Sequence, residues 1–206
     1  MTAALPGAAP TPLILASGSA IRATVLRNAG LTFEVMPPAV DEDEVKRALQ
    51  AERASAEACA TALAELKAQR VSAKRPDALV IGADQMLECD GAWFDKPSDR
   101  AGAAAHLRAL RGKTHALVGA VVLAQGGRIL WRHVERARLT MRAFDDAFIQ
   151  TYLDAVGDPV LQSVGAYQLE GLGVHLFSHI DGDHYMILGL PLLPLLDILR
   201  QHKVVP

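Results

Sequence analysis

Three short polar clusters each follow an apolar run, and their side chains complement one another. Val-Ile-Gly-Ala-Asp-Gln-Met (80–86) sets Asp84 directly behind a Gly-Ala pair. Ser-Gly-Ser-Ala-Ile-Arg (17–22) follows Leu-Ile-Leu-Ala, and Asp-Lys-Pro (95–97) comes one hairpin after Asp84. Together they supply hydroxyls, a guanidinium, an ammonium and a carboxylate. That set suits a polyphosphate and its metal ion, because phosphate oxygens take forked N–H donors and hard cations take carboxylate oxygens.

The elements that must position these groups follow from periodicity and stop signals. Leu13–Ala16 reads as a buried strand, and a helix over about 20–28 follows, with Ser19 as N-cap and Gly30 as its stop. A helix entered from such a turn offers backbone N–H groups to an anion. A second strand is expected at 33–36. Asp41 to Glu44 opens a long Ala-rich helix running to about Ala73, its early acids suiting the positive helix end. Residues 77–83 form a buried strand that ends at Asp84, and a strand-end carboxylate reaches the sheet edge where α/β folds place ligands. Met86–Phe94 reads as a hairpin around Asp90-Gly91. A helix over 99–110, two strands (113–125 and 128–138) joined by Gly126-Gly127, and a helix over 144–156 come next. Then follow a Gly-rich loop at 165–173, strands at 174–180 and 184–188, and a helix entered at Pro191. Mixed helices and strands with both hairpins and strand–helix units predict an α/β fold. Its mixed central sheet is flanked by helices, with two lobes and a cleft between them. Residues 1–12, rich in Ala and Pro, read as a disordered tail, leaving 13–206 as one two-lobed catalytic domain.

Each candidate also has an ordinary structural explanation. Arg22 could be a surface arginine beside a capped helix, and Asp84 could cap a turn. Glu42 could simply start a helix, and Lys67 and Lys96 could be solvated. Composition narrows the field further. A net charge of −2, from 21 basic and 23 acidic residues among 206, gives no basic surface for a nucleic-acid polymer. A polyphosphate must instead meet a local positive pocket. No run reaches the roughly 18 apolar residues of a membrane span. Cys59 and Cys89 have no zinc spacing and read as ordinary thiols of a reducing cytoplasm. The seven histidines, His184 among them, show no metal-ligand spacing. There is no Walker A loop and no nucleophile elbow.

Taken in order, the clusters resemble the Maf family of nucleoside triphosphate pyrophosphatases. The resemblance covers almost the whole chain. Leu-Ile-Leu-Ala-Ser-Gly-Ser is similar to the family's opening motif, and Asp41-Glu42 to its acidic pair. Leu-Ala-Glu-Leu-Lys-Ala (63–68) is similar to its helix-lysine motif. Gly-Ala-Asp-Gln, Asp-Lys-Pro, Gly-Lys-Thr-His (112–115), Gly-Ala-Tyr (165–167) with Glu170-Gly171, and Gly-Leu-Pro (189–191) follow in family order. The resemblance implies metal-assisted hydrolysis of a nucleoside triphosphate to a monophosphate and pyrophosphate, by attack at the α-phosphorus. It implies Asp84 as base, and Glu42 with Asp84 as ligands of a divalent cation, Mg²⁺ or Mn²⁺. Ser17, Ser19, Arg22, Lys67 and Lys96 would bind the triphosphate. It further implies a cytoplasmic homodimer whose partner is a small nucleotide, with no nucleic-acid polymer and no membrane.

Ile21 stands where the family carries an arginine or an aromatic residue. Gln85 stands where the pyrimidine-preferring branch has Thr, and Glu170 where that branch has Gln. Gln85 and Glu170 resemble the branch that prefers 7-methylguanosine triphosphate. A carboxylate at 170 would favour a cationic, 7-methylated guanine. Two other classes compete with this reading: a non-catalytic nucleotide-sensing regulator of cell division, which would not need Asp84, and a purine triphosphatase of the inosine-clearing type, which would carry a different opening motif.

Overall fold

The computed structural model describes residues 11–206. The expected tail lies outside the described residues except for Thr11 and Pro12, and the Pro12 carbonyl already accepts a 2.9 Å hydrogen bond from the Leu79 N–H. The strands are β1 (Leu13–Ala16), β2 (Glu34–Val35), β3 (Leu79–Cys89), β4 (Ala92–Phe94), β5 (Thr114–Gln125), β6 (Arg128–Met141) and β7 (Phe177–Asp181). The helices are α1 (Ala20–Asn28), α2 (Glu42–Ala51), α3 (Ala56–Lys74), α4 (Arg100–Leu110), α5 (Asp146–Val156), α6 (His184–Ile187) and α7 (Leu192–Gln201). The sheet order is β2-β1-β3-β5-β6-β7, with β4 beside β3. β1 pairs in parallel with β2 and β3, whereas β3/β4 and β6/β7 are antiparallel, so the sheet is mixed as the sequence predicted.

The chain divides into two compact units. The first holds the described residues through Gln85, with Gly119–Glu135 and Gly189–Pro206. Its β1 aligns Leu13 to Ala16 with Leu79 to Gly82 of β3, and Ile14, Ala16, Val71, Ala78 and Val80 pack beneath this pair. Gly82 is the point of closest approach to α3. A Cβ there would lie 2.3 Å from the Ala64 carbonyl oxygen and 2.9 Å from the Ala68 nitrogen. Both obstacles are backbone, so only glycine lets α3 lie this close to the strand that carries Asp84.

The second unit comprises Met86–Val118 and Arg136–Leu188. Leu107, Leu110, Leu117, Leu139, Ile149 and Leu153 form its core with two buried tyrosines, Tyr152 and Tyr167. His115 is 2% exposed and shares a 2.8 Å hydrogen bond between its Nε2 and the Tyr167 hydroxyl. Burial pulls this imidazole from the ordinary 6.5 down to about 4. The unfolded chain therefore binds a proton near pH 6.5 that the native chain refuses until about pH 4. Acidification across that window favours unfolding. Against His115→Gln, the wild type is expected to lose about 3 kcal/mol more stability between pH 7 and pH 4. Urea unfolding at the two pH values measures this, and parallel losses would show that His115 titrates normally.

Several local expectations are corrected. The long helix expected from Asp41 to about Ala73 is two helices. Arg53 turns left-handed (φ 55°), and Ser55 restarts the chain by accepting from the Ala58 N–H at 3.1 Å. Asp84 does not end its strand, because β3 continues to Cys89, and its Leu87 to Cys89 pair with β4 through the expected Asp90-Gly91 turn. Residues 184–187 are helical, because the Asp183 carboxylate accepts from the Met186 N–H at 2.9 Å and caps them. The strand expected at 174–180 is a tight turn over Leu172–Leu176 followed by β7. The second strand is only Glu34–Val35.

Candidate active site

Asp84, Lys67 and Glu42 form one charge cluster in the first unit. Asp84 sits inside β3 with its side chain 6% exposed. Lys67 projects from α3, equally buried, and its ammonium donates to Asp84 Oδ1 at 2.6 Å. The same Nζ lies 2.7 Å from Glu42 Oε1, whose side chain is 43% exposed. The break after α2 makes this possible. A single straight helix rises 1.5 Å per residue, so positions 42 and 67 would stand more than 35 Å apart along it. The solvated-lysine explanation of Lys67 is thus excluded: an ammonium this buried is held by its two carboxylates.

Arg22 is the second buried cation, at 9% exposure. Ser19 caps α1, and Arg22 faces inward from its first turn. Its Nε donates to the Gly189 carbonyl at 2.8 Å. Its Nη1 donates to the Ala83 carbonyl at 2.9 Å and to Ser17 Oγ at 3.2 Å. Nη2 is the edge of the guanidinium not committed by these three bonds. Burial lowers the Arg22 pKa, and the negative charges of Asp84 and Glu42 oppose that shift. Arg22 thereby ties the 17–22 turn, the residue before Asp84 and the Gly-Leu-Pro turn into one frame. It is not the surface arginine of the ordinary explanation.

The sequence-predicted residues Ser17, Ser19, Arg22, Glu42, Lys67, Asp84 and Gln85 all belong to this unit. Ser17 Oγ accepts from the Ser19 N–H at 3.2 Å and fixes the turn. Ile21 is half-buried on α1, and Gln85 follows Asp84 on β3, half-buried. Lys96 and Glu170 belong to the second unit, where both are exposed. Sequence reasoning missed the backbone acceptors at Ala83 and Gly189 and the role of Gly82. Their only signals were the Gly-Ala pair before Asp84 and the glycine of Gly-Leu-Pro.

The cluster suits a divalent cation shared with a phosphate ligand. Asp84 Oδ2 is buried and has no hydrogen-bond partner among the described residues. No group of three or more His, Cys, Asp and Glu side chains that could hold a metal occurs among the described residues. Mg²⁺ typically takes one or two carboxylates and completes its shell with water and phosphate oxygens, not with a protein cage. The two carboxylates cancel the formal charges of Lys67 and Arg22, so a triphosphate needs additional positive charge here.

The Maf-like protein family model matches residues 12–202. The chain belongs to the Maf family. A relative from Paramagnetospirillum magneticum, named nucleoside triphosphate pyrophosphatase, is 57% identical over 194 residues, covering 94% of this chain and all of the relative. A protein of the same name from Granulibacter bethesdensis is 54% identical over 191 residues, with coverage of 93% and 97%. A protein from Rhizobium etli named 7-methyl-GTP pyrophosphatase is 51% identical over 189 residues, with coverage of 92% and 95%. No helix among the described residues of this Maf-family chain is long and apolar enough to cross a membrane.

Proposed function

We propose that this chain hydrolyses a nucleoside triphosphate at the α-phosphorus, releasing a nucleoside monophosphate and pyrophosphate. The observation that carries this reading is the buried Asp84 carboxylate, held through Oδ1 by Lys67 and unpartnered at Oδ2. A non-catalytic nucleotide sensor would gain nothing from such a group, whereas a general base requires it.

The residues take the following roles. Lys67 fixes the Asp84 carboxylate so that Oδ2 orients a water and receives its proton. The water oxygen bonds to the α-phosphorus, and the bond to the bridging α–β oxygen breaks. Arg22 Nη2 and Lys96 bind the phosphate oxygens and offset the charge that builds on the departing pyrophosphate. Ser17, Ser19 and the first turn of α1 offer hydroxyl and N–H donors to the same oxygens. Glu42 and Asp84 would hold a divalent cation, Mg²⁺ or Mn²⁺, which when bound neutralises phosphate charge. Gln85 and Glu170 favour a 7-methylated guanine: a carboxylate attracts the cationic ring and accepts from its N–H edge. The name of the Rhizobium etli relative supports that preference. A cytoplasmic location and a homodimer complete the reading, on the strength of the family resemblance.

Hydrolysis in ¹⁸O-labelled water tests the reaction. The label is expected in the monophosphate alone. Label in pyrophosphate, or release of orthophosphate and diphosphate, would overturn attack at the α-phosphorus.

A further inference from the structure

The buried His115, Tyr152 and Tyr167 take no part in the chemistry above. Two of them fall in the Gly-Lys-Thr-His and Gly-Ala-Tyr motifs. All three converge on the segment that leads to Glu170. The Tyr167 hydroxyl bonds to His115 Nε2 at 2.8 Å, and both rings pack on Phe177, with centroids 4.9 and 5.9 Å away. The Tyr152 hydroxyl donates to the Ala166 carbonyl at 3.3 Å. Ala166 is fully buried and takes a left-handed φ of 60° after Gly165 at 75°. An alanine holds that conformation only where its surroundings impose it.

Beyond this anchor the chain turns back on itself. The Gly171 N–H donates to the Gln168 carbonyl at 3.2 Å. Gly173 closes the turn so tightly that a Cβ would lie 2.3 Å from the same carbonyl oxygen. Glu170 stands at the tip, exposed. Burial pushes the Tyr152 phenol up to about 12, and the negative charge of Glu170 adds to that shift.

We propose that the His115–Tyr167 and Tyr152–Ala166 hydrogen bonds form a clasp that fixes the 168–173 turn, making these three side chains positioning residues for base selectivity at Glu170. The proposal rests on the reading of Glu170 as the group that meets the base. A carboxylate on a fixed turn discriminates a cationic from a neutral ring, because its charge is already in place when the base arrives. On a loosened turn the carboxylate must be ordered by the ligand, and that cost erodes the difference.

The test uses the full chain and two readouts. One is the ratio of kcat/KM for 7-methylguanosine triphosphate to that for GTP. The other is hydrogen exchange of the amides at 168–173. Tyr167→Phe removes a single oxygen and is expected to lower the ratio roughly three- to tenfold, the range of one lost hydrogen bond, and to speed exchange by a similar factor. Tyr152→Phe acts in the same direction. His115→Gln keeps a side chain able to bond Tyr167 and retains the wild-type ratio. Combining Tyr167→Phe with Glu170→Gln lowers the ratio no further than Glu170→Gln alone, because both act through one carboxylate. Unchanged exchange in Tyr167→Phe overturns the clasp. A ratio that falls in Glu170→Gln but not in Tyr167→Phe overturns its link to selectivity. A ratio unmoved by Glu170→Gln overturns the reading of Glu170, and the selectivity role with it.

Discussion

Asp84→Asn is expected to remove turnover almost completely while the chain still folds. Asparagine keeps the size of the side chain and an oxygen able to accept from Lys67, so the 2.6 Å contact has a successor. Lys67 also keeps Glu42 at 2.7 Å, so its ammonium is not left buried without a counter-charge. Removing one partner of a buried ion pair costs about 3–5 kcal/mol when nothing replaces it. With both an amide oxygen and Glu42 remaining, the loss should fall well below that range. Catalysis has no such substitute. The amide nitrogen or oxygen standing at the Oδ2 position cannot take a proton from water. Loss of a general base slows a reaction by about 10²–10⁴-fold, or roughly 3–5 kcal/mol of transition-state stabilisation. Loss of one of the two carboxylates suited to the divalent cation adds to that. Pyrophosphate release gives kcat, and thermal unfolding followed by circular dichroism shows that the protein is intact. A folded variant retaining more than about a tenth of wild-type kcat would remove Asp84 from the role of base.

Much of the frame was legible because its signals are local. The apolar run of β1, Ser19 before α1 and the Asp90-Gly91 turn each act within a few residues, and each took its expected place. What escaped depends on contacts between distant segments or on weak competition between states. Residues 52–55 contain alanine, glutamate and arginine, all good helix formers, so only Ser55 marks the break. His-Tyr-Met-Ile-Leu has the apolar content of a strand, but Asp183 in front of it supplies a cap, and the cap prevailed. Lys67 among alanines reads as solvated because helix periodicity says nothing about what lies against the helix. Its burial follows from Gly82, fifteen residues further along, which lets α3 settle onto β3. Asp84 was found from its type and its neighbours. Its place inside the strand was not, because the continuation Met-Leu-Glu-Cys looked like the start of a separate hairpin.

Arg22→Ala is expected to damage stability and catalysis together, and Arg22→Lys to show that charge alone does not rescue the frame. The guanidinium joins Gly189, Ala83 and Ser17 through three bonds of 2.8, 2.9 and 3.2 Å. Alanine takes the guanidinium donor from the Gly189 and Ala83 carbonyls, while Ser17 Oγ keeps the Ser19 N–H, and each buried carbonyl so orphaned costs about 1–3 kcal/mol. Water entering the space left by the side chain offsets part of this, which places the total near 3–4 kcal/mol, or roughly 10 °C in Tm for a chain of this size. Lysine restores the positive charge beside Asp84 and Glu42 but carries it as a single point, and it cannot reach three acceptors held in the plane of a guanidinium. Its Tm should therefore stay closer to that of the alanine variant than to that of the wild type. Turnover should separate the two: alanine loses both the frame and the cation proposed to meet the phosphates, whereas lysine loses mainly the frame. Thermal melts with kcat and KM for the three proteins decide the matter. If Arg22→Ala melts within a degree or two of the wild type, the three bonds carry no weight, and the position of Asp84 does not depend on Arg22.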